Sequence, residues 1–230
     1  MSVDRSGDAS PEPVLYSNAM SVESLAGWVR EGPVTITDGH GGAVLGSSAD
    51  PDAMGPHAHF VLWCPVSFPD RVRISWDYLP LEGQGLAMLF FGARGSAGRD
   101  LFSPELAPRT GFYPQYHSSD IDTLHVSYQR RKFASERAFR TCNLRKSPGA
   151  HMVAQGADPL PSPEDADGFY RMDVCKDGPQ VTLSINGLQI FRWLDDGDAT
   201  GPCLEGGYLG LRQMAPLLAA YRNLTVTALL

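Results

Sequence analysis

The chain has 230 residues, a length at which a β-sandwich often forms one domain. Its 24 glycines and 18 prolines favour a fold with frequent turns over a helical one. The formal net charge of -7 at pH 7 argues against general nucleic-acid binding, which depends on basic residues that neutralise phosphates. No apolar run approaches the roughly 18 residues of a membrane span, so we expect no membrane partner.

The first residues are polar and acidic, and they contain no apolar stretch of the kind that directs secretion. We therefore expect a cytoplasmic protein with a disordered segment over residues 1–12, followed by a single jelly-roll domain over residues 13–230. The cysteines are widely spaced and form no CxxC pair, which excludes a zinc ribbon: they are Cys64, Cys142, Cys175 and Cys203. In a cytoplasmic protein we expect these thiols to be reduced and structural.

Short strand-like runs separated by Gly, Pro, Asp and Ser follow one another along the chain. A helical period comes first, over residues 20–31, where Ser21 is a candidate N-cap and Glu23 suits the first turn. Strands are then predicted over residues 34–37, 43–45, 59–64, 72–79 and 86–93. This succession of short strands and turns is typical of an all-β sandwich or barrel.

The last third of the chain carries the clearest strand pattern. Residues 180–185 alternate apolar and polar side chains, Asn186-Gly187 is a preferred type I′ turn sequence, and residues 188–193 return as the partner strand. Two more strands are predicted over residues 206–212 and 221–229, and we expect the four to form a meander that completes one face of a sandwich. The pattern predicts an all-β, two-sheet antiparallel jelly-roll sandwich of the concanavalin A-like lectin and glucanase type.

One segment differs in composition from the rest of the predicted sandwich. Residues 109–151 hold eight basic and three acidic side chains, about +5 in a chain of -7. Of the 19 basic residues in the chain, 16 are arginines, whose planar fork pairs with a carboxylate through two parallel bonds. Tyrosine rings in the same segment offer flat apolar faces to a sugar. The segment is a candidate site for an anionic sugar chain; the alternative is a structural network in which acids such as Glu136 pair with the arginines.

The candidate site residues are chosen from this segment by their chemistry. Those that can pair with a carboxylate or hydrogen-bond a sugar are Arg109, Arg130, Arg145, Asn143 and Gln155. Those that can move a proton, as a histidine near neutral pH or as a tyrosine whose pKa arginines lower, are His125, His151, Tyr116 and Tyr128. On a regular strand His125 and Tyr128 would face opposite sides, so a direct pair would need a bulge. We expect residues 109–155 to line the concave face of one sheet.

Longer runs of the sequence resemble a known family. These runs are HFVLWCP (59–65), FFGARG (90–95), RTGFYPQYHSSDI (109–121), HVSYQRRKFASERAFRTCNLRKS (125–147), HMVAQGADP (151–159) and GLRQMAPLLAAYRNL (210–224). They are similar to the YesU-like family, a bacterial group of unknown function associated with the utilisation of pectin-type polysaccharides. The resemblance covers about residues 56–228. It implies a concanavalin-like jelly roll and a role in sugar metabolism, and it supplies no catalytic residues.

Two short motifs contain residues that could bind metal. His57 and His59, on a strand, would place both rings on one face, but no third ligand is identifiable. The run Asp195-Asp196-Gly197-Asp198 is rich in oxygen but lacks the spacing of an EF-hand, so a plain turn is favoured over a Ca²⁺ site. We therefore expect no metal ligands and no cofactor, with Ca²⁺ as the alternative.

Three functions fit these observations. A lyase acting on a uronate-containing, pectin-type oligosaccharide needs a group that neutralises the carboxylate, a base and an acid, and the segment offers Arg, His and Tyr. A lectin-like protein would bind the same sugar without cleaving it. A glycoside hydrolase needs paired carboxylates, and no pair stands out in the sequence. We rank the lyase-type enzyme first, with an acidic oligosaccharide as the partner, and leave the oligomeric state open.

Overall fold

The computed structural model describes residues 12–230, and nearly all of the predicted disordered segment lies outside these residues. Strands dominate the described part of the chain. In chain order they are β1 (Val14–Asn18), β2 (Val29–Glu31), β3 (Val34–Gly39), β4 (Gly42–Ser47), β5 (Phe60–Phe68), β6 (Val72–Pro80), β7 (Leu86–Gly95), β8 (Ile121–Tyr128), β9 (Thr141–Ser147), β10 (His151–Ala157), β11 (Tyr170–Asp177), β12 (Gln180–Ile185), β13 (Leu188–Leu194), β14 (Gly207–Met214) and β15 (Ala219–Ala228). The helices are short: α1 (Pro51–Met54), α2 (Pro114–His117) and α3 (Ala134–Ala138).

The strands form two antiparallel sheets, which confirms the predicted jelly-roll sandwich. The first sheet has the order β13-β12-β11-β6-β15-β4-β3, and β1 also pairs with β15. The second sheet has the order β10-β9-β8-β7-β14-β5-β2. Side chains alternate along each strand, so every second residue of the second sheet points into the core between the sheets. Leu89, Val126 and Leu211 are core residues of this kind.

The predicted hairpin between β12 and β13 is confirmed. Ile185 pairs with Leu188, and the two residues between them have positive φ angles, 48° at Asn186 and 77° at Gly187. A type I′ turn requires this conformation at both positions, and Asn and Gly adopt it at low cost. The turn sequence therefore sets the register of the two strands.

Two of the predicted elements are wrong. Residues 22–27 form turns and not a helix, because after the bond from Leu25 N to Ser21 O the bonds are of the tighter i to i−3 kind. The last four strands do not form a meander on one face. β14 pairs with β5 and β7 in the second sheet, whereas β12, β13 and β15 belong to the first. Strand pattern alone does not reveal that the chain changes sheets between β13 and β14.

Residues 96–120, which we call the covering segment, lie over part of the outer face of the second sheet. Val61, Trp63 and Phe90 point outward from this sheet and pack against a second apolar cluster that includes Leu101 and Tyr116 from the covering segment. The chain therefore buries both sides of this sheet over part of its width. The part that the covering segment leaves open holds the cleft described below.

The cysteines are unpaired in the structure. Cys64 and Cys142 are buried, Cys175 is half-buried and Cys203 is exposed. Their reduced state in the cell stays a prediction. Over residues 12–230 the helices are all too short or too polar to cross a membrane.

Candidate functional site

A cleft of about 470 Å³ opens on the outer face of the second sheet, beside the covering segment. Its polar lining comes from β8 and the loop after it, β9, α3, the covering segment and the residue before β5: His59, Tyr113, Ser127, Arg130, Glu136 and Arg145. The remaining lining side chains are apolar: Pro56, Leu86, Met88, Phe112, Pro114, Phe133, Ala150 and Met214. The Arg-rich segment singled out in the sequence thus supplies most of the lining.

Strand alternation explains which residues face the cleft. On β8 the side chains of Leu124, Val126 and Tyr128 point into the core, so His125 and Ser127 point outward. On the neighbouring β9, Arg145 stands directly opposite His125 in the register. This pairing places a histidine and an arginine side by side beneath the covering segment.

Tyr113 connects the cleft to a buried histidine. Its hydroxyl lies 2.8 Å from Nε2 of His125, whose side chain is fully buried. Burial lowers the pKa of His125 to about 3, and the charges of Arg145 and Arg212 add to this effect. His125 is therefore neutral at neutral pH, and its Nε2 can accept a hydrogen bond from Tyr113. Because His125 is buried and Tyr113 lines the cleft, Tyr113 is the member of the pair that a ligand would meet.

The expected lowering of tyrosine pKa values is wrong. Burial raises the pKa of Tyr113, and the nearby charges of Arg145, Arg212 and Arg130 offset the effect only in part. Burial also raises the pKa of Tyr116 and Tyr128. Desolvation outweighs the arginines in each case, so these tyrosines are protonated at neutral pH.

The two arginines of the cleft differ in their partners. Arg130 forms a salt bridge of 2.7 Å with Glu136 and donates to Thr141 Oγ1 at 2.8 Å. Arg145 donates from Nη1 to the carbonyl of Ala150 at 2.6 Å, and over residues 12–230 it has no carboxylate within salt-bridge distance. Arg145 is consequently the cleft arginine whose charge is available to an anionic ligand.

Glu136 carries the carboxylate among the described residues that line the cleft, and both of its oxygens are occupied. Oε1 accepts from Arg130, and Oε2 accepts from the backbone N–H of Phe133 at 3.0 Å. The second bond caps the start of α3. A general acid or nucleophile needs an accessible oxygen, so this carboxylate is a structural partner of Arg130 in the observed arrangement.

The other predicted site residues do not line the cleft. Arg109 and Tyr116 bind the buried carboxylate of Glu31, at 2.9 Å and 2.7 Å. Tyr128 lies in the core between the sheets, where its ring packs edge-on against Tyr78 with centroids 5.1 Å apart. The inference that His125 and Tyr128 face opposite sides of β8 is therefore right, and the two form no dyad.

Asn143, Gln155 and His151 lie at the side of the sheet next to the cleft. Asn143 is buried on β9, and its side-chain oxygen lies 2.8 Å from Nε2 of the exposed Gln155 on β10. His151 is exposed at the start of β10, next to Ala150. Their roles in binding or catalysis stay predictions, and the structure shows no hydrogen bond from them to Tyr113 or Arg145.

The residues of the two possible metal motifs are engaged elsewhere. His57 lies in a 3₁₀ turn and not on a strand, with its ring stacked on Phe112, whereas Nδ1 of the buried His59 accepts from Ala215 N at 3.1 Å. Asp195 is buried in a salt bridge of 2.7 Å with Lys146. Within residues 12–230, no three His, Cys, Asp or Glu side chains gather as metal ligands would.

Sequence reasoning missed Tyr113 and His59 as site residues. Tyr113 immediately precedes α2 and Tyr116 lies within it, so composition alone does not distinguish them. Only the position of α2 against the sheet turns Tyr113 toward the cleft and Tyr116 toward Glu31. His59 was considered for a metal pair, and no signal in the sequence indicated its place in the cleft.

Two antiparallel sheets packed face to face define a protein of the jelly-roll class, which includes galectin-like folds. A solved structure from Bacillus subtilis, described as a protein of unknown function with galectin-like fold, matches with a TM-score of 0.90 and 51% identity. The match covers 95% of this chain and 97% of that chain. The present chain belongs to the family described as Domain of unknown function (DUF1961), whose model matches residues 13–226.

Two further comparisons concern a relative that is similar in sequence and a solved structure that is similar in fold alone. The chain is 53% identical over 214 residues to the uncharacterized protein YesU of Bacillus subtilis (strain 168), which is 92% of this chain and 94% of the relative. This confirms the resemblance seen in the sequence motifs. A kappa-carrageenase from Pseudoalteromonas carrageenovora, solved with an oligotetrasaccharide of kappa-carrageenan, shares the fold at 9% identity and a TM-score of 0.58, covering 99% of both chains.

Proposed function

We propose that the protein binds an acidic, uronate-containing oligosaccharide in the cleft and cleaves it by β-elimination. The observation that carries this proposal is the combination, in one cleft, of Arg145, which has no carboxylate partner among residues 12–230, and of Tyr113, which is bonded to buried His125. The fold adds support, since the carrageenase that shares it acts on a polysaccharide. The fold alone would not distinguish a carbohydrate enzyme from other functions.

Arg145 supplies the charge that β-elimination requires. The C5 proton of a uronate is acidic enough to remove only when its carboxylate is neutralised, and a guanidinium does this through two parallel hydrogen bonds. Arg145 points into the cleft from β9, with one nitrogen held by Ala150 O at 2.6 Å. That contact orients the fork, and its other donors remain available to the substrate.

Tyr113 supplies the proton transfer. In its ionised form, Oη takes the C5 proton, the electron pair forms the C4–C5 double bond, and the C4–O bond of the linkage breaks. Tyr113 then delivers the same proton to the leaving oxygen and returns to its starting state. His125 orients Oη from below, accepting its hydrogen bond when the hydroxyl is protonated and donating to it, as the other tautomer, when it is ionised.

The structure offers little support for a glycoside hydrolase at this cleft. That reaction uses two carboxyl groups on either side of the bond. Among the described lining residues Glu136 is a single carboxylate, and Arg130 and the Phe133 N–H occupy it.

Binding without cleavage is the second candidate, and one observation favours it. Burial raises the pKa of Tyr113 and lowers that of His125 to about 3. At neutral pH Tyr113 is therefore protonated and His125 binds a proton only weakly, so neither group acts as an effective base. A lyase with these groups works best under alkaline conditions, whereas a lectin-like protein needs only Arg145 and the apolar lining.

The test is a screen of oligogalacturonides at pH 7 and pH 9, with calorimetry for binding and ultraviolet absorbance for the unsaturated product. We expect binding at both pH values and faster product formation at pH 9. Tyr113→Phe should abolish product formation and keep binding, and Arg145→Met should weaken binding. Matched controls on the first sheet are Tyr170→Phe on β11 and Arg192→Met on β13, which should change neither. Binding without product at either pH would establish the lectin-like alternative, and absence of binding would refute both.

A further inference from the structure

Arg212 is a fully buried arginine that lies under the candidate site. It stands on β14, with 0% of its surface exposed. Its guanidinium carbon lies 5.2 Å from the centre of the Tyr113 ring and 5.5 Å from that of Tyr116. Nη1 donates to the carbonyl of Gly111 at 2.6 Å. Arg212 therefore contacts both ends of the short run of the covering segment, Gly111 to Tyr116, that carries Tyr113.

The charge of Arg212 is not neutralised in the resting structure. Over residues 12–230 it forms no salt bridge, and its Nε and Nη2 have no hydrogen-bond partner. Two other buried arginines do have carboxylates, since Arg109 pairs with Glu31 and Arg131 pairs with Asp158. A buried cation without an anion is unfavourable, and a negative charge formed beside it would be stabilised strongly in such a water-excluded place.

Of the two rings next to Arg212, only Tyr113 is suited to become negative. Tyr116 donates its hydroxyl to Glu31 Oε2 at 2.7 Å, and that carboxylate opposes ionisation of the ring. Tyr113 bonds instead to neutral His125. The charged and titratable groups around Tyr113 are Arg145 on β9, Arg130 after β8, His125 on β8, His117 on α2 and Arg212 on β14. None of these carries a negative charge, and the carboxylate of Glu136, which lines the same cleft, is paired with Arg130 at 2.7 Å.

We propose that Arg212 is a positioning residue of the elimination: it holds the Gly111–Tyr116 run against the sheet and stabilises the ionised form of Tyr113 that takes the C5 proton. This inference rests on the proposed function. Two arginines then stabilise two different negative charges: Arg145 pairs with the substrate carboxylate, and Arg212 stabilises ionised Tyr113 from beneath its ring. Arg145 meets the ligand, and Arg212 acts through Tyr113 alone, because it is buried beneath that ring.

The experiment measures the ionisation of Tyr113 directly. The ultraviolet difference between the parent protein and Tyr113→Phe, recorded across an alkaline titration, isolates the phenolate of Tyr113. Removal of a unit charge at about 5 Å should raise the pH of this ionisation by about one to two units in Arg212→Met. Arg212→Lys keeps the charge, so its titration should stay close to that of the parent. Arg192→Met, which removes an exposed charge on β13, is the control and should leave the titration unchanged.

The outcomes separate this inference from the proposed function, since the titration needs no substrate. An unchanged Tyr113 titration in folded Arg212→Met would overturn the role of Arg212. If Arg212→Met does not fold, Arg212→Gln in the presence of a stabilising osmolyte replaces it, and the same shift is required. A shifted titration in a protein that cleaves no uronate would refute the lyase and leave the electrostatic link intact. In an active enzyme, the rise in rate with increasing pH should move with the titration.

Discussion

The two halves of the outer face of the second sheet treat buried charge in opposite ways. Under the covering segment, Glu31 accepts from Trp63 Nε1 at 2.9 Å, from Tyr116 at 2.7 Å and from Arg109 at 2.9 Å. Cation and anion are both buried there, and they neutralise each other. Beside the cleft, where Arg212 lies beneath Tyr113, Arg145 and Arg212 have no carboxylate partner among residues 12–230.

This difference shows that an arginine-rich segment can contain two kinds of arginine. Arg109, Arg130 and Arg131 each pair with a carboxylate and serve the fold. The expectation of a structural network was therefore right for these three. Arg145 of the same segment, together with Arg212 on β14, stands where an excess of positive charge remains, and that excess lies beside the cleft. Counting charges in the sequence could locate the arginine-rich segment, but it could not distinguish the arginines that pair with a carboxylate from those that do not.

The largest expected effect is on stability, and it comes from removing the buried carboxylate of Glu31 from under the covering segment. Glu31→Gln leaves Arg109 buried without its anion, which should lower the free energy of unfolding by about 3–5 kcal/mol. Urea unfolding followed by tryptophan fluorescence measures this. Glu23→Gln, at an exposed position of the same region, is the control and should have almost no effect. Equal stability of Glu31→Gln and the parent would mean that the network contributes nothing to the fold.

The second prediction concerns the acid stability of the part of the sheet beside the cleft, where His125 is buried. The pKa of His125 is about 3 in the folded protein, below its ordinary value of 6.5, because the ring is buried beside arginines. The unfolded chain therefore takes up a proton near pH 6.5 that the folded protein refuses until about pH 3, so stability falls as pH falls through this window. Between pH 7 and pH 4.5 the loss should be roughly 2–3 kcal/mol for this histidine.

Urea unfolding at the two pH values tests the second prediction. His125→Gln should lose stability overall but should show a smaller difference between pH 7 and pH 4.5 than the parent. His151→Gln, at an exposed histidine on β10, should keep the parental difference. Because His59 also has a pKa of about 3 from burial, the parental difference should not vanish in His125→Gln. An undiminished difference in His125→Gln would refute the assignment.

Most of the fold could be predicted from the sequence because strand patterns are local. The alternation over residues 180–185 and the Asn186-Gly187 turn fix a hairpin without help from distant residues. The failures are non-local. Residues 20–31 have a helical period, yet Met20, Leu25 and Trp28 pack into the core from turns, and the chain then continues into β2, which pairs with β5. Tertiary packing overrides a short helical preference.

The site was predicted as a segment but not as a set of side chains, for the same reason. Whether Tyr113, Tyr116 or Tyr128 meets a ligand depends on which surface each ring faces, and this depends on contacts with Glu31, His125 and the first sheet. The sequence separates Tyr116 from Glu31 by 85 positions. The alternation of side chains along β8 did predict that Tyr128 and His125 point to opposite faces of the sheet, because strand alternation depends on no distant residue.

The third prediction concerns a variant that keeps the positive charge at position 145 and changes the geometry of the side chain. Arg145→Lys retains the positive charge in the cleft but cannot form two parallel bonds to a carboxylate. We expect oligogalacturonide binding to weaken about tenfold in calorimetry, and the remaining binding to fall as salt rises. Arg140→Lys, at an exposed arginine just before β9, should bind as the parent does. Parental affinity in Arg145→Lys would show that only charge matters at this position.

The smallest expected effect tests the apolar wall of the cleft. Phe133 lines the cleft with 56% of its surface exposed, so its ring can stack on the apolar face of a sugar. Phe133→Ala should weaken oligosaccharide binding by about 1 kcal/mol, roughly fivefold, and should leave stability almost unchanged because the bond from its backbone N–H to Glu136 remains. Phe139, at the end of α3, is 75% exposed and lies outside the cleft lining, so Phe139→Ala is a matched control for loss of an exposed ring. Calorimetric titrations of both variants decide the point: equal affinities would show that the sugar does not reach this wall, and the cleft would then bind through Arg145 and its floor.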